Sequence, residues 1–131
     1  MTRKSVRDPS IRIVLLPKDT NANGTVFGGI ILSQIDLAGA VEAKKSTRER
    51  IVTVSMKEVV FKHPVLVGEV VSFYTNTIRI GNSSITVSVD VEVNRQGEII
   101  KVTEAELTFV AVDESGRPKS LQPISGQSNA L

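Results

Sequence analysis

The chain has 131 residues, enough for one ordinary domain that buries about two-thirds of its unfolded surface and too few for two. It contains no Cys, no Trp and a single His, at position 63, which excludes a cysteine nucleophile, a disulfide frame, a Cys-rich zinc or iron–sulfur site and any site built from several His ligands of one chain. Lys and Arg total 16 against 14 Asp and Glu, a net charge of +2 scattered along the chain, and aromatics make up only 4%. That is not the basic face with stacking rings that nucleic-acid binding uses.

The N-terminal Met-Thr-Arg-Lys is basic but no apolar segment follows it, so it does not read as an export signal. The longest apolar stretch, Val26 to Ala43, is broken by Ser33, Gln34, Asp36 and Glu42, which argues against a membrane span, and the expected location is the cytoplasm. Ile11 to Leu16 alternates as a short strand that Pro17 interrupts. Lys18 to Thr25 is dense in turn formers. From about Gly29 to Lys45 the chain is long, free of Pro and rich in Ile, Leu and Ala, which predicts the one long helix. Its apolar residues run nearly all round, as in a helix enclosed by other structure.

From Ile51 the hydrophobic period becomes two, with strands predicted over 51–61, 69–80, 84–94 and 98–112. Ser84 to Asn94 alternates throughout, with Ile85, Val87, Val89, Val91 and Val93 on one face and polar residues on the other. Gly81-Asn-Ser-Ser84 and Asn94-Arg-Gln-Gly97 supply hairpin turns. The polar tail over 120–131 is expected to be disordered, leaving a single domain over 1–119. The predicted order is short strand, loop, buried helix and four-strand meander: an α+β protein whose antiparallel sheet wraps one central helix, with an edge strand that a second copy could cover.

Asp36 stands out as a carboxylate between Ile35 and Leu37 in the most apolar element. It either faces a surface stripe or serves in a cleft as base or nucleophile. Gly28 and Gly29, where the loop enters the helix, offer unobstructed N–H groups at the positive end of the helix dipole, the geometry of an oxyanion hole, although close packing is an equally ordinary use. The spacing of Gly24, Gly28 and Gly29 fits neither a dinucleotide fingerprint nor a P-loop. Asn21 could position a water or a substrate carbonyl, whereas Asn23-Gly24 reads as a turn. His63, before Pro64 at the end of a strand and far in sequence from the glycines, reads as structural.

The run from Leu16-Pro-Lys-Asp-Thr-Asn-Ala-Asn-Gly-Thr-Val-Phe-Gly-Gly29 through Ser33-Gln-Ile-Asp-Leu-Ala-Gly-Ala40 closely resembles the active-site segment of the YciA-type acyl-CoA thioesterases, which have the hotdog fold. The resemblance continues through Val52-Thr-Val-Ser-Met56, Phe61, Pro64-Val-Leu-Val-Gly68, Gly81-Asn-Ser-Ser84, Val102-Thr-Glu-Ala105 and Val110-Ala-Val-Asp-Glu-Ser-Gly-Arg-Pro118, and so covers roughly residues 11–119. It implies Asp36 as general base or nucleophile, Asn21 as the loop residue orienting water or substrate, and a backbone amide of the Gly28-Gly29 turn as the group polarising the thioester carbonyl. It also implies a homodimer whose site draws on both chains, assembled as a trimer of dimers. Relatives often carry His where this chain has Phe27, so a role for that His is lost here.

For the coenzyme A moiety, Gly81, Asn82, Ser83, Ser84 and Arg117 match the nucleotide-binding positions best. Val54, Ser55 and Lys57, with Arg79 and Lys119, are further candidates for the substrate, and Ile31, Ile35 and Val54 for an apolar acyl slot. The expected function is hydrolysis of short- to medium-chain acyl-CoA to free acid and coenzyme A, needing no metal and no cofactor beyond the coenzyme A of the substrate itself. Two alternatives stand beside it: a hotdog dehydratase or hydratase, which would need a His in the loop before the helix, and a non-catalytic acyl-CoA-binding oligomer.

Overall fold

The computed structural model describes residues 7–121; the remainder of the tail predicted over 120–131 lies outside the described residues. Strand β1 (Ile11–Val14) and a 3-10 turn (Pro17–Asp19) lead through the loop to helix α1 (Gly28–Ala43). Four strands follow, β2 (Ile51–Phe61), β3 (Val70–Ile80), β4 (Ser84–Arg95) and β5 (Glu98–Ala111). All pair antiparallel in one sheet of order β1-β3-β4-β5-β2.

The alternation of β4 does what its pattern demands. Ile85, Val87, Val89, Val91 and Val93 are all buried, and Leu107, Phe109 and Ala111 of the neighbouring β5 join them on one apolar face. Helix α1 lies on that face through Ile31, Ile35, Ala38 and Gly39. A Cβ at Gly39 would stand 3.1 Å from the Phe109 ring, so the missing side chain is what lets helix and sheet approach. At the far end of the helix, Glu42 accepts hydrogen bonds from Thr75 and Thr77 of β3, both 2.9 Å, and ties the element down.

One expectation needs correction. The last four strands do not form a meander: only β3, β4 and β5 follow one another, while β2 lies beyond β5 at the opposite edge. The reason is the β2–β3 connection over 62–69, which is no tight turn. It crosses the end of the sheet, donating from Lys62 N–H to the Val102 carbonyl (2.7 Å) and from Gly68 N–H to the Leu15 carbonyl (2.8 Å), and it accepts Val26 N–H at the Val65 carbonyl (2.9 Å). The sheet wraps one side of the helix. Leu37 and Val41 stay 55% and 44% exposed, and Val52, Val54 and Phe61 of β2 are exposed as well. A helix apolar all round and covered on one side leaves a stripe for something else to cover.

The 62–69 connection is held from behind by a two-pronged ion pair. Arg95 Nε and Nη2 each donate to Glu69 at 2.7 Å, and Nη2 also reaches the Pro64 carbonyl at 3.0 Å. The Arg95 hydrogen bonds hold the Glu69 carboxyl below the ordinary carboxylate range, against the opposing pull of burial. A lowered folded value stabilises the fold above the unfolded value of about 4.3, and that contribution disappears as pH falls through the folded value. Arg95→Met should therefore be less stable than wild type at neutral pH, and urea denaturation should show the difference narrowing on acidification below pH about 4.

Candidate active site

At its N-terminus α1 has Phe27 in the capping position, extended at φ −63°, ψ 130°, with no side-chain hydrogen bond to the helix and no acidic residue in the first turn. Ile30 N–H bonds back to the Phe27 carbonyl, but among the described residues nothing accepts from the amides of Gly28 and Gly29. Two donors thus point outward where the helix dipole is positive. Phe61 packs against Gly28, 3.6 Å from where a Cβ would stand, so close packing and open amides coexist at this residue.

Asp36 sits on the same helix, half-buried, and accepts one hydrogen bond, from Thr53 Oγ1 to Oδ1 at 2.7 Å. Thr53 was not singled out by the sequence; it reaches Asp36 because its register partner on β5 is Phe109, on the helix-facing side of the sheet. Gly28 and Asp36 are eight residues apart, which at about 1.5 Å per residue separates them by about 12 Å along the axis. Within one chain the open amides and the carboxylate therefore do not meet on one small group.

Asn21 takes up the turn role that the sequence reading gave to Asn23-Gly24. Its side-chain oxygen accepts from Asn23 N–H (2.8 Å), Thr25 N–H (3.3 Å) and Thr25 Oγ1 (3.3 Å), shaping the loop that delivers the chain to Gly28, with Gly24 at φ +81°. Any contact with another molecule falls to its amide NH2.

The remaining candidates divide between the two ends and the two faces of the sheet. Gly81-Asn-Ser-Ser84 is a tight turn, closed by Gly81 N–H to the Ser84 carbonyl (2.8 Å), and Ser84 pairs with Val110. It therefore lies at the Asp36 end of the sheet, near the level of Thr53 and Phe109. Leu121 N–H and Ser120 Oγ both bond to Asn82, at 3.0 and 3.3 Å, so the start of the tail is laid against this turn. Arg117 is exposed beyond the same end, on a turn organised by Asp113, whose Oδ1 accepts from Arg117 N–H at 3.0 Å. Lys119 pairs with Glu49 at 2.8 Å, and Arg79 reaches Thr86 Oγ1 at 3.4 Å.

Ser55 and Lys57 are not brought to Asp36. The register slips between Thr53 and Ser55, making Val54 an extra, exposed residue, and the slip sends Ser55 and Lys57 to the outer face, where Lys57 pairs with Glu106 at 3.5 Å. His63, read as structural, lines a cavity of about 270 Å³ together with Gly28, Ile31, Phe61, Val65 and Thr103. Its distance in sequence from the glycines is cancelled by the crossing connection.

Residues 23–100 match the family model described as the thioesterase superfamily. The chain is 40% identical over 119 residues to the acyl-CoA thioester hydrolase YciA of Escherichia coli, covering 87% of this chain and 90% of that protein. It is similar to the hexameric hotdog fold thioesterase of Campylobacter jejuni, with a TM-score of 0.82, 46% identity and coverage of 88% and 90%. It is also similar to the hexameric thioesterase of Yersinia pestis, with a TM-score of 0.85, 41% identity and coverage of 92% and 99%.

If Asn21 holds the loop as its three accepted bonds indicate, Asn21→Ala should speed amide hydrogen exchange at Asn23 and Thr25 at least tenfold, while Asn21→Asp, which keeps the acceptor, should leave it near wild type. Unchanged exchange in the Ala variant would show that the backbone bonds suffice.

Proposed function

The chain belongs to the thioesterase superfamily, as an enzyme of the thioesterase class with the hotdog fold, and from that premise we propose that it hydrolyses short- to medium-chain acyl-CoA at a site shared by two copies. The observation that carries the reading is the spacing of about 10–12 Å along the helix axis between Gly28 and Gly29, with their open amides, and Asp36. A second copy related by a twofold axis brings the Asp36 of one helix toward the glycine turn of the other, twice per dimer. The exposed β2 edge and the uncovered Leu37 and Val41 supply the apolar face for that contact. Three such dimers make a hexamer, the state named for the relatives from Campylobacter jejuni and Yersinia pestis.

In this reading the thioester oxygen lies against the amide of Gly28 or Gly29, which stabilises the negative charge that develops on it. Asp36 takes a proton from a water that adds to the carbonyl carbon, or adds to it directly to form an anhydride that water then opens. Either way the carbon–sulfur bond breaks, the sulfur leaves as coenzyme A thiolate and takes up a proton, and the acyl group departs as the free acid. Asn21, through its NH2, orients the water or the carbonyl. The Gly81–Ser84 turn and Arg117 receive the phosphates of the coenzyme A moiety, for which backbone donors and a guanidinium are suited. No cofactor enters beyond the coenzyme A carried by the substrate, and the cytoplasm, where acyl-CoA is found, is the proposed location.

Asp36→Asn should lower kcat for butanoyl-CoA, followed by release of free thiol, by about 10²–10⁴-fold with the fold intact. Retention of most activity, or binding of acyl-CoA without turnover by the wild type, would sink the catalytic reading. The amide can be deleted as well, because Pro is tolerated at the first helical position and the extended Phe27 suits a following Pro. Gly28→Pro should lower kcat by about 10²–10³-fold if Gly28 is the donor, while Gly28→Ala, which keeps the amide, serves as its control.

Sharing of the site has a separate test. Mixing Asp36→Asn chains with Gly28→Pro chains under proven subunit exchange should restore about a quarter of wild-type activity, since half the dimers are mixed and each mixed dimer has one intact site. No recovery would place the whole site within one chain.

A further inference from the structure

The cavity of about 270 Å³ that opens beside Gly28 is walled by apolar Val26 and Ile31 from the loop and helix and Val65 and Phe61 from the far side, with Lys62 and His63 of the crossing connection also lining it. One group in it stands apart because it is both buried and unpartnered. Thr103 lines the cavity from β5, is only 1% exposed, and among the described residues its Oγ1 is the buried side-chain oxygen that finds no hydrogen-bond partner. Its position is fixed from both sides, by pairing with Phe61 of β2 and Val91 of β4. A β-bulge beside it, where Glu92 pairs with Lys101, leaves Val102 as the extra residue, and both Val102 and Thr103 are buried.

A buried hydroxyl left unpaired costs about 1–3 kcal/mol, and a valine of the same shape would remove that cost. A hydroxyl kept there is understandable if its partner arrives with the ligand. Resting on the thioesterase reading, the cavity starts at the amide that would hold the thioester oxygen, so a chain entering it passes Thr103 within its first few carbons. At about 30 Å³ for a water-sized group, the cavity has room for fewer than ten such groups, a short acyl portion.

We propose that Thr103 is a specificity-determining residue whose hydroxyl hydrogen-bonds an oxygen substituent on the acyl chain, so that the enzyme prefers short acyl-CoA esters bearing a hydroxyl or keto group near the thioester over their unsubstituted counterparts. A threonine hydroxyl donates to a ketone and can donate to or accept from an alcohol, so both substituents satisfy it. A site with a polar group that only the substituted chain can pair discriminates against the chain that lacks the partner.

The test compares kcat/KM for 3-hydroxybutanoyl-CoA and 3-oxobutanoyl-CoA with that for butanoyl-CoA, read as free thiol on the intact oligomer. Wild type should favour the oxygenated pair by about tenfold. Thr103→Val should lose that preference by slowing only the oxygenated substrates, and Thr103→Ser, which keeps the hydroxyl, should retain it. Equal kcat/KM values in the wild type overturn the proposal without recourse to any variant, and so does a Thr103→Val enzyme in which all three substrates change by the same factor, as they would if the hydroxyl merely held a water. Failure of the wild type to cleave any of the three would instead overturn the thioesterase reading on which the proposal rests.

Discussion

An α-helix advances about 1.5 Å per residue, and that figure governs what α1 can do alone. Its outward-pointing amides lie at Gly28 and Gly29, its half-buried carboxylate at Asp36, and the rigid rod between them keeps the two groups apart whatever the loops do. No side-chain motion closes a gap of about 12 Å, because an aspartate is one of the shortest side chains. The uncovered surface follows the same logic. One chain leaves Leu37 and Val41 of α1 and Val52, Val54 and Phe61 of β2 bare, and the proposed pairing of two copies would use that apolar surface as well as bring the groups together.

Strand β2 turns this requirement into shape. Its register slips twice against β5, at Val54 and again between Lys57 and Val60, where Glu58 adopts φ +57°. Each slip changes which side chains face the helix. Thr53 and Met56 face inward on either side of the first slip, although an odd step of three positions separates them, and the two residues between them, Val54 and Ser55, point elsewhere. A regular strand at this edge would put Ser55 beside Thr53 beneath α1. The bulged one places a single hydroxyl on Asp36 and leaves Val52, Val54 and Val60 exposed.

These particulars decide how far the sequence could be read. The alternation of β4 names its buried face residue by residue, because side-chain direction in a strand has period two and that face lies against a continuous core. The helix limits and the two hairpin turns are local properties and are legible for the same reason. Strand order is not local. It depends on where the 62–69 connection runs, which is set by bonds to Leu15, Val26 and Val102 from three distant parts of the chain. The same bonds bring His63 into the cavity beside Gly28, so a histidine far from that glycine in sequence lines the same cavity. Thr103 was quoted only as part of a motif, since nothing in a one-dimensional pattern reveals that a strand threonine lacks a partner.

Two carboxylates lie on α1, Asp36 and Glu42, and the structure gives them different settings. Glu42 accepts from Thr75 and Thr77 and pairs with Lys45 at 3.2 Å. Burial works to raise its pKa, yet the two hydroxyls and the lysine outweigh it and hold the group below the ordinary carboxylate range. A carboxylate has about four lone-pair positions, and those of Glu42 are largely committed to fixing the helix to β3. Asp36 has one donor, Thr53, on one oxygen. Its second oxygen is uncommitted among the described residues, and the side chain is half-buried where α1 meets the edge of β2. Of the two anions on the helix, Glu42 is committed to the bonds that hold the helix to β3, and Asp36 keeps an oxygen without a hydrogen-bond partner among the described residues, which is why the proposed chemistry falls to Asp36.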